Sequence, residues 1–234
     1  MNIYQSIFLG LCSNLAALSL AAQGTFQNLN FEEASIPVST PVNSSIPISE
    51  ALPDWTAYFT SGTTVNAQMQ VNYDTISLGG PIISVIDASA PAFAPLQGTY
   101  SAFLFGGGSS TPLYSASISQ TGTVPAGTQS LLFDAYVSGA PFVVTLGGQA
   151  INMTPLETFA HYTLWGGTIP SSFAGQTETL SFTEPPAIGV QPSMFELDNI
   201  TFSTQSIPEP SPLALTGVGA LAFALYRRFA PKRP

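Results

Sequence analysis

The chain has 234 residues, a formal net charge of −9 and 45% apolar residues, enough for one well-buried domain once terminal segments are set aside. Its four basic residues, Arg227, Arg228, Lys232 and Arg233, all lie in the last eight positions, while its thirteen carboxylates fall between Glu32 and Glu209. A body so uniformly acidic repels phosphate backbones, which excludes nucleic acid as a partner, and it lacks the Arg clamps, Schiff-base lysines and P-loop lysines that many enzymes need.

The chain opens with an apolar run, Ile7 to Ala22, that ends in small residues as a secretory h-region and cleavage site do. Ser19-Leu20-Ala21 is the best cleavage triplet, which assigns residues 1–21 to a signal peptide; the positive charge in front of the run is only the Met1 amine. Cys12, the only cysteine, lies inside this run, so the mature domain holds no disulfide, and Leu11 stands where a lipoprotein signal needs a small residue.

From residue 22 to 205 dense Gly, Pro, Thr and Ser separate short runs rich in Val, Ile, Phe and Tyr, an all-β pattern. The runs predict strands over Thr25–Phe31, Trp55–Phe59, Val65–Val71, Ile82–Ile86, Tyr100–Phe105 and Tyr114–Ile118, with Gly106-Gly107-Gly108-Ser109-Ser110 as a turn. Leu131, Phe133, Ala135 and Val137 alternate with Leu132, Asp134, Tyr136 and Ser138. Phe142, Val144 and Leu146 repeat the alternation after Gly139-Ala140-Pro141, which predicts a hairpin. Strands over Phe159–Trp165, Thr179–Thr183 and Phe195–Phe202 complete the set. About ten strands in one domain imply a two-sheet β-sandwich, because open sheets of that size split or close.

The last predicted strand carries an irregularity. Phe195 and Leu197 share a face with Ile200 and Phe202 only if one extra residue is inserted, which predicts a bulge at Asp198-Asn199. Asp198 then sits in an apolar strand and requires a partner, and without Lys or Arg in the domain that partner is a backbone N–H, a hydroxyl or a cation.

Catalytic constellations are sparse. His161 is the sole histidine, so neither a multi-His zinc site nor a Cys-His pair is available, and no spacing singles out a glycosidase pair such as Glu157 with Glu196 from the eight glutamates. The expectation is a protein that is not an enzyme. Exposed aromatic rings that stack on sugars offer the alternative, a lectin-like module, with Trp165, Tyr162 and Tyr136 as candidate glycan-binding residues and Trp55 expected in the core.

Three short motifs carry a resemblance for this body. Asn28-Leu29-Asn30-Phe31-Glu32, Gln97-Gly98-Thr99-Tyr100-Ser101 and Phe195-Glu196-Leu197-Asp198-Asn199-Ile200 look like the galactose-binding-like jelly rolls of carbohydrate-binding modules. The resemblance implies a jelly-roll sandwich in which an opening Glu and a closing Asp, here Glu32 and Asp198, hold a structural calcium with backbone carbonyls. Hard oxygen ligands suit Ca²⁺, and such a clip would help a domain without disulfides.

Residues 206–234 differ in kind. After Pro208-Glu209-Pro210 the chain is apolar or small from Ser211 to Tyr226 and then meets Arg227-Arg228, an arrangement that keeps the basic tail in the cytoplasm and the preceding domain outside. At about 1.5 Å per residue this helix reaches only about 24 Å, short of the ~30 Å hydrocarbon core. The motif, the short Leu/Ala/Gly helix and the terminal Arg-Arg resemble the PEP-CTERM sorting signal. That resemblance implies recognition by an exosortase, a membrane enzyme of exopolysaccharide-producing Gram-negative bacteria, and export to the cell surface or exopolysaccharide matrix with transient anchoring through the C-terminus. Matrix exopolysaccharide is then a candidate partner.

Overall fold

The runs of β-branched and aromatic residues form fourteen strands among the described residues of the computed structural model, which describes 24–76, 79–91, 93–107, 112–139, 141–186 and 193–207. The signal segment 1–21 with Cys12, residues 108–110 of the glycine-rich turn, and the tail 208–234 lie outside the described residues. In chain order the strands are β1 (Ser45–Pro47), β2 (Thr56–Ser61), β3 (Thr64–Gln68), β4 (Gln70–Tyr73), β5 (Ile82–Ile86), β6 (Ser101–Phe105) and β7 (Ser115–Thr123). They continue as β8 (Ser130–Ser138), β9 (Val143–Leu146), β10 (Gln149–Ile151), β11 (Met153–Thr158), β12 (Thr163–Thr168), β13 (Thr177–Glu184) and β14 (Met194–Ser203). One helical turn, α1 (Ile48–Ala51), follows β1.

Two sheets result. The larger has the order β1-β4-β5-β6-β14-β8-β12-β11 and the smaller β10-β9-β13-β7-β2-β3, with β4–β5 the one parallel pairing among those described. Their facing sides interleave Leu104, Phe133, Phe195, Leu197 and Phe202 from the larger sheet with Ile118, Val144, Leu180 and Phe182 from the smaller. Phe133 is central: its ring meets Phe182 at 5.2 Å, Phe142 at 5.6 Å and Phe195 at 6.1 Å, each edge-on. Trp55 is buried as expected, against Phe31 and Phe182.

The larger sheet is also covered on its outer side. Ile82, Ile86, Phe103 and Phe105 form a second cluster there, with Phe93 from the loop after β5 tilted over Phe103 at 5.5 Å. Burial on both faces explains why Ile82–Ile86 and Ser101–Phe105 read as continuous runs without alternation.

Three expectations about strands are corrected. Thr25–Phe31 is not a strand: Asn28 and Phe31 adopt left-handed φ of 48° and 57°, which breaks any ladder while still burying Phe26, Leu29 and Phe31. The predicted strand Val65–Val71 is two strands, β3 and β4, which part at Met69 and join different sheets. The predicted hairpin around Gly139-Ala140-Pro141 is a crossover, because β8 pairs with β12 and β14 whereas β9 pairs with β10 and β13. Both segments alternate because each packs one face on the shared core, and alternation alone does not tell a hairpin from a passage between sheets.

Phe133→Ala removes the ring on which three others converge, and a loss of about 3–5 kcal/mol in unfolding free energy is expected from urea titration.

Candidate functional site

The predicted bulge is present. The β14–β8 register runs through Asp198 opposite Asp134, slips, and resumes at Thr201 opposite Leu132, with Asn199 at a φ of 52°. Asn tolerates this left-handed conformation better than a branched residue, and the slip keeps Ile200 and Phe202 in the core. It also brings the Asp198 carboxylate against the loop ahead of β6. Asp198 Oδ2 accepts the Gln97 N–H at 3.0 Å and Oδ1 accepts the Asn199 N–H at 2.6 Å.

Glu32 reaches the same loop from the opening segment. Its Oε1 accepts the N–H groups of Thr99 at 2.7 Å and Tyr100 at 3.1 Å. The carboxylate lies over Gly98, whose φ is 56°, and a Cβ at that position would run into it. Only glycine therefore meets both the backbone and the spatial requirement. The opening segment is fastened to β14 directly as well, since the Ile200 N–H donates to the Leu29 carbonyl at 2.8 Å.

Asn30, Glu32, Gln97, Gly98, Asp198 and Asn199 thus line a pocket of about 140 Å³. The two acids predicted from the sequence, Glu32 and Asp198, are brought together. Asp134, on the face of β8 opposite Phe133, is buried beside the pocket and accepts from Asn199 Nδ2 at 3.2 Å and Gln97 Nε2 at 3.4 Å. Its signal in the sequence was the same as that of Asp198, an acid in an apolar strand.

Burial pushes the Asp198 carboxyl up to about 8, and the nearby charges of Glu32 and Asp134 add to the shift against the opposing backbone N–H bonds. Burial also raises Asp134. Among the described residues no three His, Cys, Asp or Glu side chains cluster to hold a metal, so a cation in this pocket would have two carboxylates, Glu32 and Asp198, and would draw its other ligands from amide oxygens, carbonyls and water. Ca²⁺ accepts such mixed hard-oxygen sets, and two like charges converging without a basic residue are what it would neutralise. The donor chemistry fits.

The aromatic candidates separate. Trp165 turns toward the core side of β12, where it packs edge-on against Phe142 at 5.0 Å, and its indole N–H finds no hydrogen-bond partner among the described residues. Tyr136 is exposed on the outer side of β8, with Phe93 edge-on at 5.7 Å. Tyr162 lies in the β11–β12 turn, stacked on Phe159 at 4.7 Å, with its hydroxyl receiving a bond from Gln97 Nε2 at 2.6 Å. These three rings therefore do not share one face. Phe159, which the sequence reading placed inside a strand, is the exposed ring beside Tyr162.

Glu157 and Glu196 stand apart: the first is exposed on edge strand β11, and the second is buried on β14 beneath the Ser101 hydroxyl, with β8 and β12 between them. His161 is exposed at the β11–β12 turn. Among the described residues no helix is long and apolar enough to cross a membrane. No protein-family model matches the chain, and a search of curated proteins finds no match to it.

Three further buried acids share the predicament of Asp198. Burial raises Glu184 to about 8 and Glu196 to about 7. Burial together with the charge of Asp87 raises Asp74 to about 6, against the opposing Asp87 N–H bond. Glu184 takes a bond from the Ser193 hydroxyl on one oxygen, while its Oε2 finds none among the described residues. A carboxyl raised on folding stabilises fully below its unfolded value and loses that contribution as pH rises through the folded value. In chelator-containing buffer the urea midpoint should therefore fall between about pH 4.5 and 8. Glu184→Gln, which mimics the neutral acid, should reduce the fall and unfold at higher urea than wild type at pH 8; equal pH slopes for the two proteins would show that Glu184 is not the source.

Proposed function

We propose that this is an exported, non-catalytic protein of the cell surface or exopolysaccharide matrix, its galactose-binding-like jelly-roll domain delivered by a C-terminal PEP-CTERM-type signal that an exosortase reads. One observation carries the reading. The described residues contain no Lys or Arg, and their last strand, β14, ends at Ser203; in the sequence Pro208-Glu209-Pro210 follows, and all four basic residues come after it. In the sequence the acidic stretch thus gives way to the apolar and basic one at this motif. Removal of the tail at this point would release a domain with carboxylates and neither lysine nor arginine.

In this reading Glu32 and Asp198 hold a structural Ca²⁺ that clips the opening segment to the last strand. The metal supplies positive charge where the pocket has none, and the residues do the rest: Gln97 and Asn199 N–H groups orient the Asp198 carboxylate, and Thr99 and Tyr100 N–H groups orient that of Glu32. The service is mechanical, since both carboxylates serve to hold segments together.

Mass spectrometry of surface and secreted protein from an exosortase-bearing host tests the sorting. The mature wild-type form should lack residues 213–234, and replacement of Pro208-Glu209-Pro210 by alanines should retain them; a mature form that keeps 213–234 in both proteins would refute processing at this motif. For the clip, millimolar calcium at pH 7.5 should raise the melting temperature of the wild-type protein by several degrees over chelator, as binding to the folded state alone does. Asp198→Asn should abolish the increment.

A further inference from the structure

Ile207 belongs to a small apolar patch on the outer side of β12. A Cβ placed on Gly166 would lie 2.6 Å from Ile207 Cδ1, 2.6 Å from Leu156 Cδ1 and 3.0 Å from Leu132 Cδ2, so these three side chains converge over the glycine. From Leu156, strand β11 continues to the turn that carries Phe159 and Tyr162, three residues farther at about 3.3 Å each. Leu156 and Phe159 are 40% and 41% exposed. The turn is closed by the Phe159 N–H on the Tyr162 carbonyl at 2.8 Å, and the Tyr162 hydroxyl is fixed by Gln97. The stacked rings are thus held in place on the rim.

We propose that this edge, formed by Leu156, Phe159 and Tyr162 beside Ile207, is a membrane-interface contact that seats the sandwich against the bilayer while the C-terminal segment is embedded. The inference rests on the reading of residues 211–226 as a membrane segment. Between Ile207 and Ser211 there are only the three residues of the motif, and four residue steps span at most about 14 Å when fully extended. The headgroup region of one leaflet is itself about 5–8 Å deep. A patch tethered this closely lies at the membrane surface, and Phe159 is within about 10 Å of Leu156 along the strand.

Charge selects this edge further. The acidic body is repelled by an anionic leaflet, yet from Met153 to Trp165 Glu157 is the only carboxylate. Aromatic rings with one polar end partition to the headgroup level, which suits Tyr162 with Phe159 beside it. Sugar stacking is the competing use of an exposed ring pair, but Gln97 and Asp134, the polar side chains on the sheet side of Tyr162, are already bonded to one another and to Tyr162 and Asn199.

The test uses residues 22–234, without the apolar signal segment that would itself float the chain, reconstituted in phosphatidylcholine vesicles and carrying a nitroxide at His161→Cys or, as reference, at Thr63→Cys in the β2–β3 turn at the far edge of the smaller sheet. The label at 161 should gain accessibility to oxygen and lose accessibility to a nickel chelate relative to the label at 63. Phe159→Ser with Tyr162→Ser should remove that difference while the chain still floats with vesicles. Equal nickel accessibility at both positions in vesicle-bound protein would overturn the contact and leave the membrane segment standing. Failure of the chain to float would refute the membrane segment, and the contact with it. Protection of the label at 161 by cellohexaose without vesicles would assign the edge to glycan and overturn the proposal.

Discussion

A carboxylate removed from water must find a cation, a set of hydrogen-bond donors or a proton, and between Gly24 and Ile207 this chain has no lysine or arginine to offer. Five acids are nevertheless at most 4% exposed: Asp74, Asp134, Glu184, Glu196 and Asp198. The architecture around them follows from that deficit. Hydroxyls of Ser101 and Ser193 face Glu196 and Glu184, a backbone N–H from Asp87 faces Asp74, and the Gln97 loop turns its N–H and its amide toward Asp198 and Asp134. Burial is the first cause that raises each of the five above its ordinary value, and the donors oppose it.

The loop from Asp87 to Tyr100 is the element that makes the outer side of the larger sheet into something more than a solvated surface. Its Phe93 seals the apolar half over Phe103, and its Gln97-Gly98-Thr99 stretch caps the acidic half, so one segment covers both. The opening segment does the complementary work at the other side of the pocket. Although it forms no strand, it buries three large apolar residues, stacks Phe26 on Phe202 at 4.9 Å and presents Glu32 to the loop. Two irregular segments and a bulge therefore meet at one point, and neighbouring regular strands hold them there.

This arrangement was only partly legible in the residues. The two-sheet, all-β character was readable because alternation and turn chemistry act locally, and the bulge at Asp198-Asn199 was readable because an extra residue shifts the apolar face of a long strand. Partner choice was not. Val65–Val71 divides between sheets, and Pro141 leads to the opposite sheet, because these outcomes depend on contacts distant in sequence. The opening motif misled for a different reason: Phe26, Leu29 and Phe31 look like a strand by composition, but the Asn28 side chain accepts the Glu33 N–H at 3.1 Å and donates to Pro53 at 3.0 Å, stabilising a turn. Glu32 and Asp198 emerged as a pair from a resemblance between short motifs, whereas Asp134 and Gln97 became visible only once β8 and β14 were set side by side.

The two borders of the larger sheet share a property with consequences for self-association. β1 ends in Pro47, and β11 carries Pro155 followed by a register slip before Glu157. Proline has no N–H to lend an incoming strand, and a slipped ladder presents its remaining groups out of phase. Neither border is a template for continued sheet growth. The larger sheet is therefore kept from extending edge to edge, so that lateral assembly along it must proceed through side chains and not through backbone pairing at these two borders.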